Sequence, residues 1–449
     1  MSGDRGGGST AGKGVATRAV HTGERPPQPQ FKPTVTPIYP GSTFVYEDVE
    51  VMDAALAGDD SKYVYTRYGN PTTTALEEVI ANLEGTASAL GFASGMAAVH
   101  AAIFSSVSPG STILATRDLY GHTFASLRDH FTTWGVKTEL VDFLDLEATE
   151  TAINEHSPDL IVCESITNPL MKVTDIPAIC ELGRAAGATI LVDSTFTPPV
   201  LYQPAADGAH LVVHSMTKYL AGHGDVTGGI VATTRMRRQQ LNDYAKLTGS
   251  ILGPFEAWLA LRGVKTLPLR YRQQCDNAMK VAEALEAHPG VGIVNYPGLE
   301  SHASHQTANK LFGDRGYGAM ISFTIKDATK EDVFNYLEAL DLVIPATSLG
   351  DASIRCRSTR HNGIASIDAA GGQGKRSESA TISSDCPSAS RMPTTSSKIS
   401  IRLFEPRDSR STGIEEYVHQ KGLRQWPTTA TRSSSQTSRG PKSTRSATR

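Results

Sequence analysis

The chain has 449 residues, 43 basic against 46 acidic side chains, 39% hydrophobic and 7% aromatic. That length predicts two or three domains around a large core, and a net charge of −3 gives no electrostatic case for nucleic acid or anionic lipid as the main partner. No run of about 18 apolar residues occurs, so no membrane-spanning helix is expected. The N-terminus lacks the apolar stretch of a secretory signal. The five cysteines (Cys163, Cys180, Cys275, Cys356 and Cys386) are scattered, without the spacing of a disulfide framework or a zinc site. A cytoplasmic globular protein that binds no metal and no membrane is the expectation.

Residues 1–13 are rich in Gly and are expected to lack packed structure. Short apolar runs suited to buried strands follow at Thr112–Ala115, Leu160–Cys163, Thr189–Val192, Leu211–Val213 and Gly229–Ala232. Between them lie helical patterns at Ala97–Phe104, Thr123–Trp134, Leu146–Glu155 and Ala178–Ala186. This alternation predicts an α/β fold with a mostly parallel sheet covered on both faces. One long helical pattern runs from Leu267 to Ala287, followed by strand-like Val291–Asn295 and Met320–Ile325 and a helix around Glu331–Leu340. A second, smaller α/β domain is therefore expected to start at 266 and to stop unfinished at 351. After Asp351 leucine appears only at Leu403 and Leu423, and Ser, Thr, Arg and Gly dominate. Such a composition buries too little apolar surface to offset its ordering entropy, so 352–449 is expected to be largely disordered.

Three segments carry candidate chemistry. In Val212-Val213-His214-Ser215-Met216-Thr217-Lys218-Tyr219 a strand ends at hydroxyls and a lysine. A desolvated lysine at a sheet edge can form a Schiff base, and Ser215 and Thr217 could bind a phosphate; a surface lysine after a strand fits the stretch equally. In Ile190-Leu191-Val192-Asp193-Ser194-Thr195 an aspartate closes a buried strand, as a helix cap or as the partner of a protonated ring nitrogen. In Gly91-Phe92-Ala93-Ser94-Gly95-Met96 a small-residue turn opens an Ala-rich helix, whose N-terminus is either capped or an anion site.

Taken together and in this order, the segments resemble the fold-type I pyridoxal phosphate (PLP) enzymes of the transsulfuration, or Cys/Met metabolism, group, over about Thr17 to Asp351. The group includes methionine γ-lyase, cystathionine γ-lyase, cystathionine γ-synthase and O-acetylhomoserine sulfhydrylase. Its Tyr-x-Arg-x-x-Asn-Pro-Thr pattern stands here as Tyr65-Thr66-Arg67-Tyr68-Gly69-Asn70-Pro71-Thr72. The resemblance implies a large domain at 66–265 with a mostly parallel, seven-stranded-type sheet. It also implies an arm at 14–65 that serves a neighbouring subunit, and a disrupted smaller domain at 266–351. Lys218 is implied as the Schiff-base lysine and Asp193 as the pyridinium partner, with Tyr120 stacking on the ring and serving acid/base steps. Ser94, Gly95, Met96, Ser215 and Thr217 are implied phosphate ligands, Glu164 and Asn168 a polar pair beside the ring. Tyr65 and Arg67 are implied to reach the cofactor phosphate of a neighbouring subunit, and Tyr65 and Ser348 to meet the substrate. A homotetramer built as a dimer of dimers, acting on a small sulfur amino acid, is implied as well.

Two reactions share this machinery: γ-elimination of methionine, homocysteine or cystathionine to 2-oxobutyrate, ammonia and a thiol, and γ-replacement on an activated homoserine. Cystathionine-specific members of the group tend to carry Glu immediately before Ser-Leu-Gly. Here the stretch is Ala346-Thr347-Ser348-Leu349-Gly350-Asp351, which looks more like methionine γ-lyase. Methionine γ-lyases usually carry Cys two residues after the stacking tyrosine, where this chain has His122. Elimination is the expected reaction, with replacement as the alternative.

The group also has a Leu-Ile-Arg-Leu-Ser-Val-Gly-like motif whose arginine binds the substrate α-carboxylate. It is absent in place, and the surroundings of Ser400-Ile401-Arg402-Leu403-Phe404 do not match it. One permitted back-translation of Ala380–Met392, read from its third nucleotide, encodes Asp-Asp-Leu-Ile-Arg-Leu-Ser-Val-Gly-Ile-Glu-Asp. A change of reading frame near Asp351 is therefore expected to have produced the tail. If the tail is genuine, an inactive PLP-binding protein or scaffold is the further alternative.

Overall fold

The computed structural model describes residues 33–57, 62–340, 342–353, 355–358 and 364–368. Seven strands form the main sheet: β1 (Ser88–Phe92), β2 (Thr112–Thr116), β3 (Lys137–Val141), β4 (Leu160–Glu164), β5 (Thr189–Asp193), β6 (Leu211–Ser215) and β7 (Gly229–Thr233). Their order is β1-β7-β6-β5-β4-β2-β3. β3, β2, β4, β5 and β6 pair in parallel, while β7 runs antiparallel to both of its neighbours. The expected mostly parallel α/β sheet is present.

The central strands are buried on both faces, which is why they read as unbroken apolar runs. Ile161, Ile190, Val192 and Val212 pack into one core layer, and Leu160, Val162, Leu191, Leu211 and Val213 into the other. Helices cover both layers, and their ends are set by local chemistry. In Pro71–Glu84, Asn70 caps the start by accepting the Thr72 N–H at 2.9 Å, proline occupies the first turn, and Gly85 at φ 68° closes the end.

Sequence periodicity misses β1 and β3. Gly91 interrupts the apolar run of β1, and β3 is a half-exposed edge strand with Lys137 and Glu139 in its pattern. The helix expected over Thr123–Trp134 is three pieces: an α-helical turn at Gly121–Ala125, a π-helical turn at Ser126–His130 and a 3-10 turn at Phe131–Trp134. The Thr132 hydroxyl reaches back to the Leu127 carbonyl at 3.2 Å, five residues earlier, which accompanies this change of winding.

The helix Leu267–Glu286 leads into a second sheet. Its strands are β8 (Val291–Asn295), β9 (Met320–Ile325), β10 (Ile344–Pro345), β11 (Arg355–Ser358) and β12 (Ile364–Asp368), ordered β10-β11-β12-β9-β8. β8 and β9 coincide with the expected strands. Within the segment 352–449, expected to be largely disordered, the described residues include β11 and β12. β12 pairs antiparallel with β9, a ladder of backbone groups that a leucine-poor composition does not forbid. Residues 354, 359–363 and 369–449, like residues 1–13, lie outside the described residues. Among the described residues no helix is long and apolar enough to cross a membrane, and no cluster of His, Cys, Asp and Glu could hold a metal ion.

Candidate active site

Three adjacent parallel strands end in polar residues at the same edge: β4 at Glu164, β5 at Asp193 and β6 at Ser215. Ligands of open parallel sheets bind at such carboxyl ends. A cavity of about 250 Å³ lies there, lined by ten of the expected residues: Ser94, Gly95, Met96, Tyr120, Glu164, Asn168, Asp193, Ser215, Thr217 and Lys218.

One side of the cavity is built for an anion. The helix Gly95–Phe104 starts at its wall, and Ser94 Oγ accepts the Ala97 N–H at 3.1 Å. The first-turn N–H groups of Gly95 and Met96 have no carbonyl to meet within the helix, and the positive dipole end adds to their pull on a phosphate. A Cβ on Gly95 would lie 2.8 Å from both Cβ and Oγ of Ser215, so glycine is what lets the helix start close on the end of β6. Thr217 Oγ1 accepts the Gly228 N–H at 3.0 Å, which fixes the second hydroxyl.

Two carboxylates also line the cavity. Glu164 and Asp193 are register partners on β4 and β5. Burial pushes the Asp193 carboxyl above its ordinary range, against the opposing pull of the Thr195 N–H and hydroxyl and of His214. Burial and the neighbouring Asp193 push Glu164 well upward, although its oxygens accept the Tyr120 N–H at 2.5 Å and the Asn168 N–H at 3.2 Å. Asp193 lines the cavity, so a cationic ring nitrogen arriving there would favour its carboxylate form.

Lys218 lines the same cavity. Its N–H closes a turn onto the Ser215 carbonyl at 3.1 Å, and its Nζ donates to Ser348 Oγ at 2.9 Å. Gly350, at φ 80°, packs so closely that a Cβ would sit 2.7 Å from the Lys218 carbonyl carbon. Ser348 does not line the cavity itself; it holds the amine that does. Tyr120, half exposed at the cavity wall, has its hydroxyl 3.1 Å from His122 Nδ1, with the two rings 5.3 Å apart.

Tyr65 and Arg67 are not among the cavity-lining residues of their own chain. The Arg67 guanidinium donates to the Lys246 carbonyl and lies over the rings of Tyr65 and Tyr68, at 5.5 and 5.0 Å. Sequence reasoning missed Thr195, Phe196, Thr347 and Leu349 as lining residues. Thr195 Oγ1 accepts the Ser215 N–H at 2.9 Å, and its place two residues after Asp193 was the available signal.

An anion cradle, a buried carboxylate and an amine are the complements of a phosphate, a protonated pyridine nitrogen and an aldehyde, so the residues present fit PLP. Ser94, Gly95, Met96, Ser215 and Thr217 could hold its phosphate, Asp193 its ring nitrogen and Lys218 its aldehyde carbon. The model of the Cys/Met metabolism PLP-dependent enzyme family matches residues 16–370. L-Methionine gamma-lyase of Pseudomonas putida is 40% identical over 350 residues, covering 77% of this chain and 86% of that protein. Cystathionine gamma-synthase of Mycobacterium tuberculosis is 42% identical over 316 residues, covering 70% and 78%. The crystal structure of metB from Corynebacterium glutamicum superposes with a TM-score of 0.71 at 34% identity, covering 81% of this chain and 95% of that one. The chain belongs to the Cys/Met metabolism family of PLP-dependent enzymes, with the transsulfuration lyases and synthases as its relatives.

Proposed function

We propose that the chain is a carbon–sulfur γ-lyase that converts methionine, homocysteine or cystathionine to 2-oxobutyrate, ammonia and a thiol. The observation that carries this reading is Lys218 held by Ser348 beside a cavity that Thr347 helps to line. Thr347 occupies the position before Ser-Leu-Gly, and a neutral side chain there offers no anion to a distal substrate ammonium. Methionine and homocysteine are therefore favoured over cystathionine.

PLP, when bound, supplies the electron sink that acidifies the substrate's α- and β-hydrogens. Lys218 Nζ takes the Cα proton, and its bond to Ser348 Oγ orients it for that transfer. The Tyr120 hydroxyl can supply a proton to the departing sulfur, and Asp193 would hold the cofactor's ring nitrogen in its protonated form. Ser94, the Gly95 and Met96 N–H groups and the hydroxyls of Ser215 and Thr217 would hold the cofactor's phosphate. Tyr65 and Arg67, outside their own cavity, are proposed to complete a neighbouring subunit's site in a homotetramer.

The likeness to cystathionine gamma-synthase favours γ-replacement as the second reading. Incubation of the PLP-loaded full chain with each sulfur amino acid, and with an O-acylhomoserine plus a thiol, distinguishes the two. Thiol and 2-oxobutyrate from methionine or homocysteine support the lyase. Product only from the acylhomoserine supports replacement, and bound cofactor without any product supports an inactive binding protein.

A further inference from the structure

Arg270 is a nearly buried guanidinium on the helix Leu267–Glu286, outside the cavity and aimed at the segment that follows Lys218. Its Nη1 and Nη2 both donate to the Tyr219 carbonyl at 3.1 Å, and Nη2 also reaches the carbonyls of Gly263 at 2.9 Å and Leu220 at 3.5 Å. Its Nε donates to Thr266 Oγ1 at 3.1 Å. Gly222, at φ 69°, makes room for the fork, since a Cβ there would lie 2.6 Å from Nη2. Gly263 makes room in turn for Ala221, whose carbonyl carbon would be 2.8 Å from a Cβ. Arg270 and Gly263 thus converge on residues 219–222, where Gly222 leaves the room.

The same helix face holds the other parts of the site. Tyr271 Oη donates to the Phe196 carbonyl at 2.7 Å, three residues after Asp193, and Gln274 Nε2 donates to the Asp351 carbonyl at 3.0 Å, three residues after Ser348. Burial lowers the pKa of Arg270, with Asp351 opposing. A desolvated guanidinium is costly to keep unless its donors are satisfied, and here most of them are spent on backbone carbonyls. An apolar side chain could fill the volume, but it would take the guanidinium donors away from the Tyr219 and Leu220 carbonyls.

We propose that Arg270 is a positioning residue for Lys218: it clamps the 219–222 turn to the helix Leu267–Glu286 and so sets where the lysine amine sits. The proposal rests on the reading of Lys218 as the cofactor-linked lysine. Its consequence is a split between two properties of the site. Anchoring of the phosphate by Ser94, Gly95, Met96, Ser215 and Thr217 would not depend on Arg270, whereas capture of the aldehyde by Lys218 would.

The test mixes the full chain, freed of cofactor, with pyridoxal 5′-phosphate and follows the visible absorbance of the lysine-linked form. Arg270→Ala is expected to form it about tenfold more slowly, and added guanidinium is expected to restore the rate. In a Lys218→Ala background, where only non-covalent binding remains, Arg270→Ala is expected to leave pyridoxal phosphate affinity unchanged. A wild-type linkage rate in Arg270→Ala overturns the proposal, as does an equal loss of affinity in the Lys218→Ala background. Should Arg270→Ala not fold, Arg270→Lys decides: it keeps the charge without the fork, slow linkage supports the clamp and a wild-type rate overturns it. If the wild-type chain forms no lysine-linked cofactor, the functional reading itself fails. Amide hydrogen exchange at residues 219–222 then still separates the cases, since faster exchange in Arg270→Lys supports the clamp and unchanged exchange overturns it.

Discussion

Lys218 Nζ and Ser348 Oγ meet at 2.9 Å across 130 residues of sequence, joining the turn after β6 to the segment that follows β10. The contact ties the lysine to a segment next to the second sheet. Replacing Ser348 by Ala removes the acceptor but no cofactor ligand. Turnover is expected to fall about tenfold with cofactor affinity retained, as measured by kcat/KM beside a cofactor titration. Equal losses in both would place Ser348 in cofactor binding instead.

Gly350→Ala attacks the same junction from the backbone. A side chain at φ 80° is strained, and its Cβ would press on the Lys218 carbonyl carbon at 2.7 Å. The variant is expected to lose about 1–3 kcal/mol of stability and to link cofactor more slowly. Denaturant unfolding of the cofactor-free chain measures the first effect directly.

Asp193 predicts a pH dependence with a definite sign. Burial raises its folded-state pKa above the value of about 4 for an unfolded aspartate. The folded, cofactor-free chain therefore holds that proton more tightly than the unfolded chain does. The stability so contributed is complete below about pH 4 and is lost as pH rises through the raised folded value. Asp193→Asn keeps an acceptor for the Thr195 N–H, now 2.9 Å from Oδ1, and removes the buried charge. Thermal melts of the cofactor-free chains should show Asp193→Asn more stable than wild type near about pH 8, the difference vanishing near about pH 4. PLP affinity should move the other way, weakening at least about tenfold for want of an anion beside the ring nitrogen.

Much of the cavity was legible in the sequence because its residues sit just beyond unbroken apolar strands. Asp193, Ser215, Thr217 and Lys218 follow apolar runs such as Ile190–Val192 that suit a buried strand, and the family resemblance gave them their roles. Ser94 and Gly95 were legible as a helix start, though only the fold shows that Gly95 lets the helix approach Ser215. Periodicity could not reach contacts made at long sequence separation. Arg270 lies 51 residues from the Tyr219 carbonyl it holds, and a buried arginine leaves no trace in a hydrophobic pattern. Tyr65 and Arg67 show the converse. Their motif was legible, but a single chain leaves both away from its own cavity.

The sequence beyond Asp351 yields a prediction about the gene. The nucleotides encoding 380–392, read in the alternate frame, are expected to give Asp-Asp-Leu-Ile-Arg-Leu-Ser-Val-Gly-Ile-Glu-Asp. These residues lie outside the described part of the chain. A protein made with that frame restored is expected to bind substrate at least about tenfold more tightly, because a charge-assisted arginine–carboxylate contact contributes roughly 1.5–3 kcal/mol. Sequencing the coding strand settles the first point, and substrate KM compared between the two proteins settles the second.

The most direct test of the central claim is to add PLP to the full-length chain, reduce with borohydride, and map the modified peptide by mass spectrometry. The account predicts one pyridoxyl group, on Lys218, and none in Lys218→Ala. A pyridoxyl group on a different lysine, or none on the wild-type chain, would contradict it.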